Sequence, residues 1–148
     1  MIANHQRRIR VPIKPLAQFC EVARQAMGFP EESVSIRLVS DPVIARLNRK
    51  YRGKAGPTDV LSFPAQMPVQ HRRYRRNRGD HAGPYIGDIA ISPQTAQRYA
   101  RRGARSLSAE LRILILHGMI HLAGYDHETD HGEMDRFERR MRRRLKLQ

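Results

Sequence analysis

Acidic residues are scarce in this chain. Its 148 residues hold 14 aspartates and glutamates against 28 lysines and arginines, for a formal charge of +14. Cysteine is rarer still. Cys20 stands alone and closes no internal disulfide, which excludes a disulfide-stapled secreted domain. Long apolar runs are missing: the longest uninterrupted one, Ile113 to Leu116, falls far short of the roughly 20 residues that cross a bilayer. The opening MIANHQRRIRV has no apolar stretch of the kind a secretory signal needs, so the expected location is the cytoplasm. What is present suffices for a core. Apolar residues make up 40%, so extensive disorder is not expected, and the length fits one domain over residues 1–148.

The basic excess is mostly arginine: only Lys14, Lys50, Lys54 and Lys146 are lysines, leaving 24 arginines. Arginine matches phosphate bidentately, and a strongly basic domain commonly meets nucleic acid or another polyanion. The plainer reading is an arginine-favouring codon bias and a solvated surface. Three segments concentrate the bases: 69–83, 98–112 and 136–146, with 5, 5 and 7 respectively. The first has almost nothing to bury and reads as a flexible basic loop. Its Arg72, Arg73, Arg75, Arg76 and Arg78 are candidates for nucleic-acid phosphates, and Tyr74 and Tyr99 are candidates for base stacking.

Periodicity predicts strands at 7–12, 33–40, 58–63 and 85–92. Helices are predicted over 15–27, from the Asp41-Pro42 cap to near Gly53, from Ser92-Pro93 to about Arg102, and from Ser106 or Ser108 to Ala123. A last helix opens where Asp130 and Glu133 resemble a capping box, with Met134, Phe137, Met141 and Leu145 as its apolar stripe.

The most informative stretch is HGMIHLAGYDH, residues 117–127. His117 and His121 stand one helical turn apart on one face, where a single ion can reach both. Gly124 then stops the helix and lets the chain return with His127. Three neutral imidazoles with one open position suit a catalytic zinc ion, one per chain. The metzincin proteases share this spacing, but they carry a glutamate directly after the first histidine as general base. Gly118 stands there in this chain, so a protease of that kind would lack its water-activating carboxylate.

Three stretches together, LNRKYRGKAGPTDVLSFP (47–64), IGDIAIS (86–92) and ELRILILHGMIHLAGYDH (110–127), closely resemble the YbeY family of bacterial endoribonucleases. The family commonly has an acidic residue after the lysine of the first stretch, where this chain has Ala55-Gly56. The resemblance implies a single α+β domain with a small mixed sheet. Four strands and five helices are expected from the pattern, with the metal site on helix 106–123 and the loop after it. It also implies zinc on His117, His121 and His127, cleavage of single-stranded RNA, and roles in 16S rRNA 3′-end maturation and ribosome quality control. Ribosomal RNA and the ribosome or its small subunit would be the partners, with no membrane involved. Arg52 matches the family's YR arginine and is the candidate for stabilising phosphoryl charge. Asp126 either orients His127 or bonds its own turn. Asp59 and Asp88 are either structural or supports of the site, and no general base is evident. A zinc-braced, non-catalytic ribosome assembly factor is the alternative reading, and a metalloprotease a more distant one.

Overall fold

The computed structural model describes residues 1–65, 84–126 and 128–147. The predicted 69–83 loop, with Arg72, Arg73, Tyr74, Arg75, Arg76 and Arg78, lies outside the described residues, as does His127. Four strands, β1 (Ile2–Asn4), β2 (Val34–Leu38), β3 (Val60–Pro64) and β4 (Gly87–Ile91), form one sheet in the order β1-β2-β4-β3. β1 and β4 run parallel to β2, and β3 runs antiparallel to β4. Five helices surround it: α1 (Ile13–Ala26), α2 (Asp41–Arg52), α3 (Pro93–Arg102), α4 (Leu107–Leu122) and α5 (Glu133–Arg144). This is the expected α+β domain with a mixed sheet. None of its helices is long and apolar enough to cross a membrane among the described residues.

α4 is the centre of the molecule. From Glu110 to Leu122 every residue is buried except Arg112, His117 and His121. A helix that is apolar almost all round must be covered all round. Its Leu111, Leu114, Ile115 and Met119 join Leu16, Phe19 and Ala23 of α1 and Ile36, Leu38, Ile89 and Ile91 of the sheet in the main core. Leu116 and Ile120 instead meet Met134 and Met141 of α5, with Phe137 and Leu145 beside them, the stripe expected of that helix. α2 covers the opposite face of the sheet, where Ile44 packs with Leu61 and Ala90.

Gly118 sets how closely α4 approaches the sheet. A Cβ there would stand 2.9 Å from Ile89 Cδ1 and 3.2 Å from Ser62 Oγ. Ser62 donates a hydrogen bond to the Gly118 carbonyl at 3.2 Å. Position 118 therefore faces packed sheet, which leaves no room there for the glutamate a metzincin would carry.

Two local readings are corrected. The N-terminal strand is Ile2–Asn4, paired with Ile36–Leu38, and not residues 7–12. The buried Gln6 side chain donates to Ile9 O at 2.8 Å and accepts from Ile9 N at 2.9 Å. That turn takes up backbone groups a strand would have needed, although Ile9 and Val11 still reach the core. The second correction concerns Asp41, which lies inside α2, one residue after the Ser40 cap. Its carboxylate accepts from Ser92 Oγ at 2.5 Å, Thr95 Oγ1 at 2.7 Å and Arg98 at 3.0 Å, so it ties α2 to α3.

Candidate active site

His117 and His121 leave the buried body of α4 on its one open flank. Their Nε2 atoms stand 3.1 Å apart. The far side of each ring is held. His117 Nδ1 lies 2.9 Å from Glu138 Oε1 of α5, and His121 Nδ1 lies 3.0 Å from the Tyr125 carbonyl oxygen. Both of those oxygens only accept, so each Nδ1 carries a proton, and in the neutral ring Nε2 is the nitrogen left as acceptor. Two such nitrogens on one flank form a donor pair of the kind that ligates metals. Two imidazoles on a tetrahedral zinc, at the usual Zn–N length of about 2.0–2.1 Å, would stand about 3.3 Å apart, so the donor pair fits the ion. His127, the third expected ligand, lies outside the described residues.

Glu138 was not anticipated. Burial pushes its carboxyl up, but the hydrogen bond with His117 and nearby positive charge, Arg142 included, outweigh that and hold it below its ordinary value. A histidine ligand whose second nitrogen is bonded to a carboxylate is the usual arrangement at metal sites. The signal in the sequence is slight: Glu138 is the one acid among the arginines of 136–144.

The histidines line a cavity of about 550 Å³ together with Arg52, Lys54, Asp59, Ser62, Asp126 and others. Arg52 closes α2, where Gly53 takes a left-handed φ of 64° and donates to Arg49 O. The buried Asn48 then donates to Gly56 O at 3.0 Å, fixing the loop that carries Lys54. Beyond Arg52 a larger cavity of about 990 Å³ opens over the α2 face of the sheet, also lined by Arg37, Tyr51 and Phe63. Tyr51 meets Phe63 edge to face, with ring centroids 5.2 Å apart. Arg52 thus borders both spaces, as Ser62 and Pro64 do.

Asp59 is the half-buried carboxylate of the histidine cavity. Desolvation raises its pKa above 3.8 despite hydrogen bonds from its surroundings, chiefly Val60 N at 2.8 Å. Asp126 Oδ1 accepts from Glu128 N at 2.9 Å, the turn-forming bond that was one of its two readings. Asp88 accepts from Tyr85 Oη at 2.5 Å and lines the sheet cavity. Tyr99 is exposed on α3 under Arg102, away from the histidine cavity. Cys20 is buried in the core, its thiol pushed up to about 12 by desolvation, and takes no part.

A family model described as Endoribonuclease YbeY matches residues 1–146. The chain is 41% identical over 147 residues to Endoribonuclease YbeY of Koribacter versatilis, covering 99% of this chain and 86% of that protein. It is 39% identical over 124 residues to the protein of the same name from Aquifex aeolicus, covering 82% and 74%. The solution structure of TM1509 from Thermotoga maritima superposes with a TM-score of 0.60 at 27% identity, over 98% of this chain and 89% of that one. A match that runs nearly end to end, in sequence and in fold, places the chain in the endoribonuclease YbeY family.

Proposed function

We propose that the chain is a zinc-dependent endoribonuclease of single-stranded RNA, acting in the cytoplasm on the 3′ end of 16S rRNA and in ribosome quality control. The observation that carries the metal dependence is the pair of Nε2 atoms, held 3.1 Å apart with the Nδ1 atoms turned to oxygen acceptors. His117 and His121 would hold the ion with His127, and Glu138 would keep His117 in the binding tautomer. When bound, zinc supplies a water acidified to a pKa of about 7 and stabilises a phosphoryl oxygen.

The remaining work falls to the protein. Arg52 and Lys54 line the histidine cavity and place two fixed positive charges beside the scissile phosphate. Asp59 Oδ is the half-buried carboxylate suited to take up a proton there, because desolvation favours its protonated form. The sheet cavity beyond Arg52 offers the Tyr51 and Phe63 rings to flanking bases.

The test is cleavage of end-labelled single-stranded RNA by the purified protein, with and without chelator. Cleavage should vanish with chelator and return with zinc, and His121→Ala should abolish it. Zinc bound stoichiometrically with no cleavage of any RNA would favour the assembly-factor reading instead.

A further inference from the structure

The arginines of α5 surround a cavity of their own. It measures about 550 Å³ and is lined by Tyr125, Glu133, Arg136, Arg139, Arg140 and Arg143. Helical spacing explains the grouping, since residues three, four and seven apart share one face. This face is opposite in character to the Met134 and Met141 side that packs on α4. Four guanidinium groups meet a single carboxylate, and that carboxylate is already engaged: Glu133 accepts from the His131 backbone N–H at 2.6 Å. None of the four arginines pairs with a carboxylate among the described residues.

Tyr125, on the wall of this cavity, has an aromatic neighbour. Tyr125 stacks on Phe137 with ring centroids 4.8 Å apart and planes 3° apart, and Arg140 lies over Phe137 at 5.6 Å. Tyr125 also lines the histidine cavity, so the two spaces meet at one residue. Its carbonyl is the group that orients His121. A strand engaged at the histidines can therefore continue past Tyr125 onto the arginines.

We propose that this cavity binds backbone phosphates of the same single-stranded RNA, on the α5 side of the cleavage site. The inference rests on the endoribonuclease reading for its ligand. The charge argues for a polyanion, and contiguity with the histidine cavity argues that the polyanion is the substrate strand. Arginine forks bind phosphate oxygens bidentately, while the Tyr125–Phe137 stack supplies a flat apolar wall against which a sugar or base can lie.

The experiment measures binding of a fluorescein-labelled single-stranded oligoribonucleotide to the full chain across a range of salt concentrations. EDTA is present so that cleavage does not intervene, and the series is repeated with zinc. Arg139→Ser/Arg143→Ser removes two contacts from exposed positions and should lower the slope of log affinity against log salt by about 1.4, at about 0.7 per contact. Arg139→Lys/Arg143→Lys keeps the charge and should keep most of the slope, with an unchanged melting temperature as the check on folding. A slope unchanged in the serine variant would overturn the proposal and leave the cavity to an acidic protein segment. Cleavage of the same RNA by the wild-type protein is scored separately. A lowered slope without wild-type cleavage would sink the nuclease reading while RNA binding at α5 stands. Wild-type cleavage with an unaltered slope would do the reverse.

Discussion

Two half-buried aspartates carry opposite pH signatures. Burial pushes the Asp41 carboxyl up, but hydrogen bonds from Ser92, Thr95 and Arg98 more than offset this and bring it below 3.8. Its folded pKa is depressed, so its contribution to stability is full above pH 3.8 and is lost as pH falls through the lower folded value. Asp41→Ala should cost about 1–3 kcal/mol near neutral pH by stripping partners from two buried hydroxyls, read as a drop in the denaturation midpoint that shrinks in acid. Asp59 behaves in reverse. Its folded pKa is raised, so ionising it burdens the fold as pH climbs from 3.8 through the folded value. In chelated protein, Asp59→Asn should therefore stabilise at neutral pH, with the gain vanishing in strong acid. RNA cleavage by the zinc-loaded variant should fall. A variant more stable and equally active would make Asp59 structural. Glu138 gives the third test at this scale: Glu138→Ala should weaken zinc binding about 10–100-fold, measured by competition with a chromophoric chelator. Equal affinity would mean that His117 needs no carboxylate behind it.

At the scale of elements, Gly118 governs the seating of α4 on the sheet. Gly118→Ala adds a methyl 2.9 Å from Ile89 Cδ1. Overpacking of that kind costs about 1–3 kcal/mol, against roughly 1 kcal/mol regained from helix propensity. A net loss of stability is expected, with weaker zinc binding as His117 and His121 are pushed out of line; a variant that melts higher would show the contact to be slack. The helices were legible in the chain because their ends are marked locally. Ser106 accepts from Ala109 N at 3.1 Å, and Ser92 accepts from Thr95 N at 3.4 Å. β1 was not legible, because Ile2–Asn4 is too short to show a period and becomes a strand only by pairing with β2, over thirty residues away. The histidine pair was visible at a spacing of four. Its partner Glu138 was not, since 21 residues and a whole helix separate it from His117. Asp59 was in view, but the burial that alters its chemistry exists only once α4 lies across β3.

For the whole molecule, the zinc ion should act as a ligand of the native state alone. Free zinc at about 100 times its Kd should add about 2.7 kcal/mol of stability, a rise of roughly 5–10 °C in melting temperature at this size. His121→Ala should erase the rise, and a rise surviving in that variant would place the ion elsewhere.

The bond between His117 and Glu138 joins the central helix to the last one, and it reaches further than the orientation of a single ring. α5 docks on α4 through few buried side chains, chiefly Met134 and Met141, and so belongs to the part of the fold that opens most readily. Whatever holds His117 in place also latches that helix shut. Metal loading should then read out in backbone amide hydrogen exchange along 133–144, a segment that holds none of the proposed ligands. In the zinc-free protein those amides should exchange through local detachment of the C-terminal segment. In the loaded protein they should exchange only when α4 itself opens. Zinc at the proposed site would then govern the dynamics of α5, and limited proteolysis of the zinc-free protein should cut first within 133–144.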